Sequence, residues 1–450
     1  MEKWYKAVEE YIEKNRAEIV DDLKALVRIP SISQAGKDSF PFGKEVDDAL
    51  CAAAELYNKN GIPMSVKHDK GYALSILEGE GDGIGIFGHA DVVPVNDDWI
   101  KTTPFDPIEE NGILYGRGIS DNKAAVVETL YAIKALRAAG VNLKSRITIY
   151  VGGSEETGMQ DIFEFVKNER MPAVSITPDS DFPVSVGEKG ILHVFCRSKN
   201  PLCDVTTFEG GKAFNVILDK VKVEAKGGIC FESEGLTSHA AHPEGSVNAA
   251  VKAAKKLCSL NICDGDKEIL KNFITAVESY YGENLDIASE GVFGKLTCAN
   301  GIVKIEADGR LMFTLDIRYG NEADGEKTEK NLIKALSLLG FEGEIENNDP
   351  GFLLDESGKD MEIILGSCRD VSKEADAMPY KTYGGTYARR LKNAFAISHS
   401  APWSHEDLGL PAGHGGAHQS DEALSVDAFL GGIKTLALIL GRLDAHYSQK

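Results

Sequence analysis

From Ile84 to Val93 the chain reads Ile-Gly-Ile-Phe-Gly-His-Ala-Asp-Val-Val, an almost unbroken apolar run of strand length. A strand with one wet face alternates apolar and polar residues. A continuous run of this kind suits a strand covered on both faces, as in a parallel sheet between helix layers. Arg146–Val151 (RITIYV) and Val174–Thr177 repeat the pattern. Between the first two runs, Ala124–Ala139 carries Val126, Val127, Leu130, Ile133 and Leu136 along one helical side, and Gly140 is placed to cap it. Strand, helix and strand in succession form βαβ units. The predicted class is therefore α/β, with a mixed, mainly parallel sheet and flanking helices. Helical spacing also links Trp4, Val8, Ile12, Ile19, Leu23, Leu26 and Val27, ahead of Pro30, and Val426–Leu443 reads as an apolar helix.

After Asp179 the pattern changes. Ile191–Cys196, Val303–Glu306 and Leu311–Ile317 alternate, as half-buried antiparallel strands do. Met378–Thr386, punctuated by Pro and Gly, suits a return crossing. The predicted organisation is an α/β catalytic domain, 1–185 and 382–450, interrupted by an α+β lid domain, 186–381.

Charge narrows the function. Lys and Arg total 49 against 70 Asp and Glu, a formal net charge of −21. Nucleic-acid binding rests on neutralising phosphates and is disfavoured, as is an anionic membrane surface. No apolar run reaches the ~20 residues of a membrane-spanning helix, and the charged N-terminal stretch lacks a signal-peptide core. The cysteines, at 51, 196, 203, 230, 258, 263, 298 and 368, form no CxxC pair. A reduced, cytoplasmic protein is expected. Gly83, Gly85 and Gly88 spell GxGxxG, but they lie at the start of and within a strand, with no helix following, so dinucleotide binding is not expected.

Chemistry gathers at the predicted strand ends, where open α/β sheets place ligands. In Gly88-His89-Ala90-Asp91, alternation sends His89 and Asp91 to one side. His89 can ligate a metal while Asp91 accepts its other ring proton; a satisfied strand-end histidine is the plainer reading. Asp121 precedes a helix and is either an N-cap or a carboxylate bridging two metals. Glu155 and Glu156 follow RITIYV between glycines. Adjacent glutamates are usually solvated, yet here one can bind metal while the other stays unligated as a general base. Asp179 ends the next strand. His414 and His418 lie in a glycine-rich loop unsuited to a helical zinc-protease motif. Taken together, these residues supply the mixed N/O donors of a two-metal hydrolytic site.

The ordered set GHADVV, GRGxxDxK, GGSEETG, PD, SHxxxPEGxxNA and GGAHxxDE resembles the dinuclear zinc aminoacylase, carboxypeptidase and dipeptidase family over essentially the whole chain. Asp97-Asp98-Trp99, Pro104-Phe105, Gly384–Arg389 (GGTYAR) and the long insertion resemble its large-lid bacterial dipeptidases of the PepV type. The resemblance implies His89 and Asp179 on one metal, Glu156 and His418 on the other, and Asp121 bridging. It further implies Glu155 as general base, Asp91 as the residue orienting His89, and His239 and Asn215 as lid residues that stabilise the oxyanion. Two positions depart from the pattern: Asp-Asp-Lys-Gly is here Asp121-Asn122-Lys123-Ala124, and His242 replaces a small hydroxylated residue. Smaller members pair a short lid with its twin; the longer insertion here implies a monomer.

Arg318 alternates with Leu311, Phe313, Leu315 and Ile317, so it lies off their face and could clamp a carboxylate bidentately or simply be solvated. The resemblance favours a substrate-carboxylate role, with Arg389 as rival. The expected activity is dipeptide hydrolysis through a water held between two divalent ions and activated by Glu155. Zinc is the expected metal, with manganese or cobalt as alternatives. Deacylation of an N-acyl amino acid would use the same site, and a catalytically silent metal-dependent binding protein is the remaining alternative.

Overall fold

The computed structural model describes residues 2–34, 36 and 39–448. In chain order, helices α1 (Tyr5–Lys14), α2 (Arg16–Val27) and α3 (Lys44–Lys59) precede strands β1 (Ser65–Lys67), β2 (Tyr72–Leu77) and β3 (Glu80–His89). A short pair, β4 (Ile108–Glu110) and β5 (Ile113–Tyr115), leads to α4 (Lys123–Ala138), β6 (Ser145–Gly152), α5 (Gln160–Asn168), β7 (Val174–Pro178) and β8 (Val184–Glu188). Next come β9 (Gly190–Pro201), β10 (Val205–Glu209), β11 (Lys220–Ala225), β12 (Ile229–Glu234), α6 (Ala249–Cys258) and α7 (Asp264–Val277). They are followed by β13 (Glu290–Gly291), β14 (Gly294–Lys295), β15 (Thr297–Ala299), β16 (Val303–Ile305), β17 (Arg310–Tyr319), α8 (Gly325–Leu338), β18 (Phe341–Asp349) and β19 (Phe352–Leu353). The chain ends with α9 (Lys359–Ser372), β20 (Tyr380–Thr382), β21 (Ala394–Ile397), β22 (Ala423–Ser425) and α10 (Val426–Tyr447).

Two compact units result: 1–186 with 354–380 and 386–450, and 187–353 with 381–385. The first holds the α/β layer. The large sheet runs β1-β2-β6-β3-β7-β21-β8-β19. Its centre, β6-β3-β7-β21, is parallel. The apolar runs fill this centre: Ile84, Ile86, Ile147, Ile149, Val174 and Ile176 are all buried in one core. β3 ends at His89, and Ala90–Val93 leave the ladder. There Ala90 N–H donates to Gly152 O and Val92 N–H to Ser31 O. The apolar series from Trp4 to Val27 forms two helices, divided at Asn15. α4 is buried almost all round because β3 lies against it together with α1, α2 and α10. α9 packs on α10. So 354–380, read from sequence as part of the insertion, belongs to the first unit; Met361, Ile364, Leu365 and Cys368 are its buried stripe.

The second unit is an antiparallel α+β body. Its main sheet runs β15-β17-β9-β18, with β16 also pairing β17, and β10-β11-β12 form a separate sheet. β9 alternates buried and half-buried positions, as its sequence pattern predicts. β17 does not. Met312, Thr314, Asp316 and Arg318, expected on a wet face, are as buried as Leu311, Phe313, Leu315 and Ile317. Alternation located the two faces of β17, but it carries no information about what covers the polar one.

Candidate metal centre

In the first unit, four strand ends converge. Register aligns His89 with Gly152 across β3 and β6, and Ile397 with Pro178 across β21 and β7. Just past these ends stand Glu155, Glu156, Asp179 and His399. A small sheet, β22-β5-β4, pairs Ala423 with Tyr115 and so brings the loops bearing His418 and Asp121 to the same edge.

His89 is fully buried. Its Nδ1 donates to the main-chain oxygen of Asp91 at 3.0 Å, so in the neutral ring Nε2 is the lone-pair atom. That Nε2 is buried without a hydrogen-bond partner. It faces Asp121 Oδ1 at 3.1 Å and Asp179 Oδ2 at 3.7 Å. Asp121 Oδ2 lies 2.9 Å from His418 Nε2, which is also 3.1 Å from Glu156 Oε1. One carboxylate thus spans two histidines, an oxygen to each. Donor atoms of His89, Asp121 and Glu156 lie within 4.8 Å of one another, as do those of His89, Glu155 and Asp179.

The electrostatics suit a cation. Burial alone would hold His89 neutral, yet Asp179, Asp121 and Asp91 outweigh it and keep its pKa well above the usual value. Burial likewise opposes protonation of His418, but Asp121 and Glu156 lift it to about 11. Burial and then the Asp121 charge push Glu156 up to about 7. Glu155 rises well above the carboxylate range, through burial first and then Asp179, and its Oε1 is buried and unpartnered. Burial and neighbouring carboxylates thus disfavour the charged forms of Glu155 and Glu156, which a nearby cation would favour. The unpartnered Nε2 and Oε1, together with the mixed N/O donors, fit divalent zinc, manganese or cobalt.

Buried side chains hold this cluster in place. Asp91 accepts the Glu155 and Glu156 amides, one on each carboxylate oxygen, at 3.2 Å each. Its carboxylate stands 3.4 Å from His89 Nδ1, so the ring's hydrogen bond goes to the main chain and not, as the motif suggests, to the carboxylate. Asn122 Oδ1 accepts from His89 N, and its Nδ2 donates to Pro178 O and to Asp179 Oδ1 at 3.0 Å. Gly88 permits this approach, since a Cβ there would lie 3.0 Å from Asn122 Oδ1. Asp161 accepts Gly153 N, Ser154 N and the Tyr387 hydroxyl. Glu422 accepts from Arg117 Nη1, Gly118 N, Ser120 N and Asp121 N. His399 Nε2 lies 2.9 Å from Ser120 Oγ, and burial holds its pKa below the ordinary value despite Asp179 and Asp121.

Asn122, Asp161, Tyr387, Glu422 and His399 were not read from the sequence as site residues. His399 carried a usable signal: Ala394–Ile397 is an apolar run ending near a histidine, like Ile84–His89. The other four act through main-chain amides or other side chains, and nothing in their spacing announces that.

In the second unit, Ala240 N–H donates to Asn215 O and Val216 bridges His239, so Asn215 and His239 are neighbours. Ala241 N–H donates to His239 Nδ1, which places the proton of a neutral ring on Nε2. Arg318 spends its Nε–Nη2 edge on both oxygens of Asp316, at 2.6 and 2.8 Å, and Nη1 donates to Tyr383 O. The His242 ring stands edge-on to Tyr383. Arg389 lies in the first unit, in the short turn Tyr387–Arg390.

A family profile described as Peptidase family M20/M25/M40 matches residues 85–442. A proposed dipeptidase of Staphylococcus haemolyticus is 26% identical over 438 residues, covering 88% of this chain and 91% of its own. A counterpart in Staphylococcus aureus has the same identity and coverage. Among solved structures, human carnosine dipeptidase 1 matches with a TM-score of 0.66 at 17% identity, covering 99% of each chain. The dipeptidase Dug1p of Saccharomyces cerevisiae matches at 0.62 and 15%, covering 98% of each. At these identities the structural matches speak for the fold.

Proposed function

The chain belongs to peptidase family M20/M25/M40 and is a hydrolase, and from that premise we propose that it is a dipeptidase working with a pair of divalent metal ions. The observation that carries the reading is Asp121 spanning His89 and His418, with the unpartnered Oε1 of Glu155 beside them. His89 and Asp179 would hold one ion, Glu156 and His418 the other, and Asp121 both. When bound, such ions supply a water of lowered pKa and a Lewis acid for the peptide carbonyl. Glu155 takes the proton from the attacking water and returns it to the leaving amine. Asp91 fixes Glu155 and Glu156 through their amides. His239, with its proton on Nε2, and Asn215 donate to the oxyanion.

For the substrate carboxylate, Arg318 offers only what Asp316 and Tyr383 leave of its guanidinium, and Arg389 is the second candidate. The names of the relatives support a dipeptide as substrate. Cysteines scattered without paired spacing support a reducing cytoplasmic setting. The test is a dipeptide panel, with N-acetyl counterparts, given to metal-stripped protein reloaded with zinc, manganese or cobalt. Metal-dependent cleavage of free dipeptides is expected. Preference for the N-acetyl forms would transfer the protein to the deacylases, and inertness with every metal would remove the enzymatic reading.

A further inference from the structure

Away from the strand ends, the first unit gathers a second set of donors. Asp47 and Cys51 lie four residues apart on α3, hence on one face. His68 follows β1 in the turn of the β1–β2 hairpin. One donor atom from each of Asp47, Cys51 and His68 lies within 4.8 Å of the other two. His68 Nδ1 is 2.6 Å from Asp47 Oδ1, and the Cys51 thiol is 3.9 Å from Asp47 Oδ2. We propose that Asp47, Cys51 and His68 form a separate site for one thiophilic divalent cation of the zinc or cobalt class.

Three observations support this. First, the donors differ in kind: imidazole nitrogen, thiol sulfur and carboxylate oxygen are the set that borderline-soft ions select over magnesium or calcium. Second, the Asp47 side chain is 7% exposed, and its two oxygens are engaged by the other two donors. A second cluster, Cys203, Cys263 and Asp266, differs here. Asp266 is spent on the amides of Cys203, Asp204 and Val205, so it anchors a loop. Third, access and spacing are right. The His68 side chain is 52% exposed, leaving room for a water as fourth ligand. Bonds of about 2.0 to 2.3 Å set tetrahedral donors about 3.3 to 3.7 Å apart. The His68–Asp47 pair must therefore open by about 1 Å or less, a small swing for an exposed side chain. Binding releases the Cys51 proton and any proton shared by His68 and Asp47 to solvent.

The site would tie α3 to the β1–β2 hairpin. Both elements close on Gly153: a Cβ there would meet Val46 Cγ1 of α3 at 2.6 Å and Gly71 O of the hairpin at 2.9 Å. Gly153 opens the loop carrying Glu155. The ion would brace the support of that loop without touching it.

Cobalt separates this site from the strand-end cluster, whose donors are nitrogen and oxygen only. Metal-stripped full-length protein is titrated with Co2+ while near-ultraviolet absorption is followed. A sulfur-to-cobalt charge-transfer band is expected, with the intensity of one thiolate-bound ion per chain and saturating by about three equivalents, since the strand-end pair takes cobalt too. It should vanish in Cys51→Ser, weaken about 10-fold in affinity in His68→Ala, and be displaced by Zn2+. Circular dichroism checks that both variants are folded. Absence of the band overturns the site. So does a band unchanged in Cys51→Ser, which would assign it to other thiols. Unaltered affinity in His68→Ala would leave a lone thiolate and also overturn it.

Discussion

At Asp91, two parts of one residue serve different neighbours. The main-chain oxygen fixes the His89 ring, and the carboxylate holds the amides of Glu155 and Glu156. The carboxyl group of Glu155 is thereby free of any task in holding its own loop. Glu155→Gln should lower kcat at least ~100-fold, the low end for losing a general base, while metal analysis still finds both ions. Loss of one ion, or activity near wild type, would mean that Glu155 is a ligand or a bystander. Asn122 makes a different kind of contribution. It joins the ends of β3 and β7 by bonding to His89, Pro178 and Asp179. Asn122→Ala should weaken metal binding by about 10- to 100-fold, the usual cost of removing a partner of the ligands. Competition against a chelator measures it. Unchanged affinity would show that the strand ends hold the donors unaided.

Among the elements, the loop from Gly116 to Asp121 depends on a side chain about 300 residues away in sequence. Glu422 sits just before β22, β22 pairs β5, and β5 leads into that loop. Arg117 is buried, and its guanidinium donates to Glu422 Oε2 at 2.7 Å. In Glu422→Gln, an amide NH2 would face main-chain N–H groups and the guanidinium would lose its counter-charge. A cost of about 3 to 5 kcal/mol is expected, measured by urea unfolding, together with lost activity as Asp121 loses its anchor. A change below about 1 kcal/mol would show that water compensates Arg117. This pairing also marks the limit of sequence reading. The strands of the parallel core were legible because burial on both faces requires continuous apolar residues, and the donors because they follow those strands. Glu422–Arg117, Asp161–Tyr387 and the buried polar face of β17 were not legible. Each joins segments far apart in sequence, and a polar residue satisfied by a distant partner looks like one satisfied by water. α9 was misplaced for a related reason: its helical stripe is plain, but a stripe does not name the body it packs on.

For the whole molecule, the proposed chemistry needs residues from both units: Glu155 lies in the first, His239 and Asn215 in the second. They can come from one chain or from two copies exchanging their second units. The second unit has a core of its own, with Val194, Phe208, Val221, Phe313 and Leu315 fully buried. Its β17 is covered on both faces within the chain, so that strand needs no twin to bury it. A net charge of −21 also opposes self-association, although weakly at physiological salt. We therefore expect a monomer in which His239 serves its own chain. Mixing His239→Ala with Glu155→Gln, each inactive alone, tests this. In a dimer that exchanges His239, a mixed pair would contain one site with both residues intact, and activity would return toward a fraction of wild type. In a monomer every chain lacks one of the two, and the mixture stays inactive at any ratio or concentration. Recovery on mixing, rising with protein concentration, would require the exchanged dimer; sedimentation at the same concentrations would have to agree.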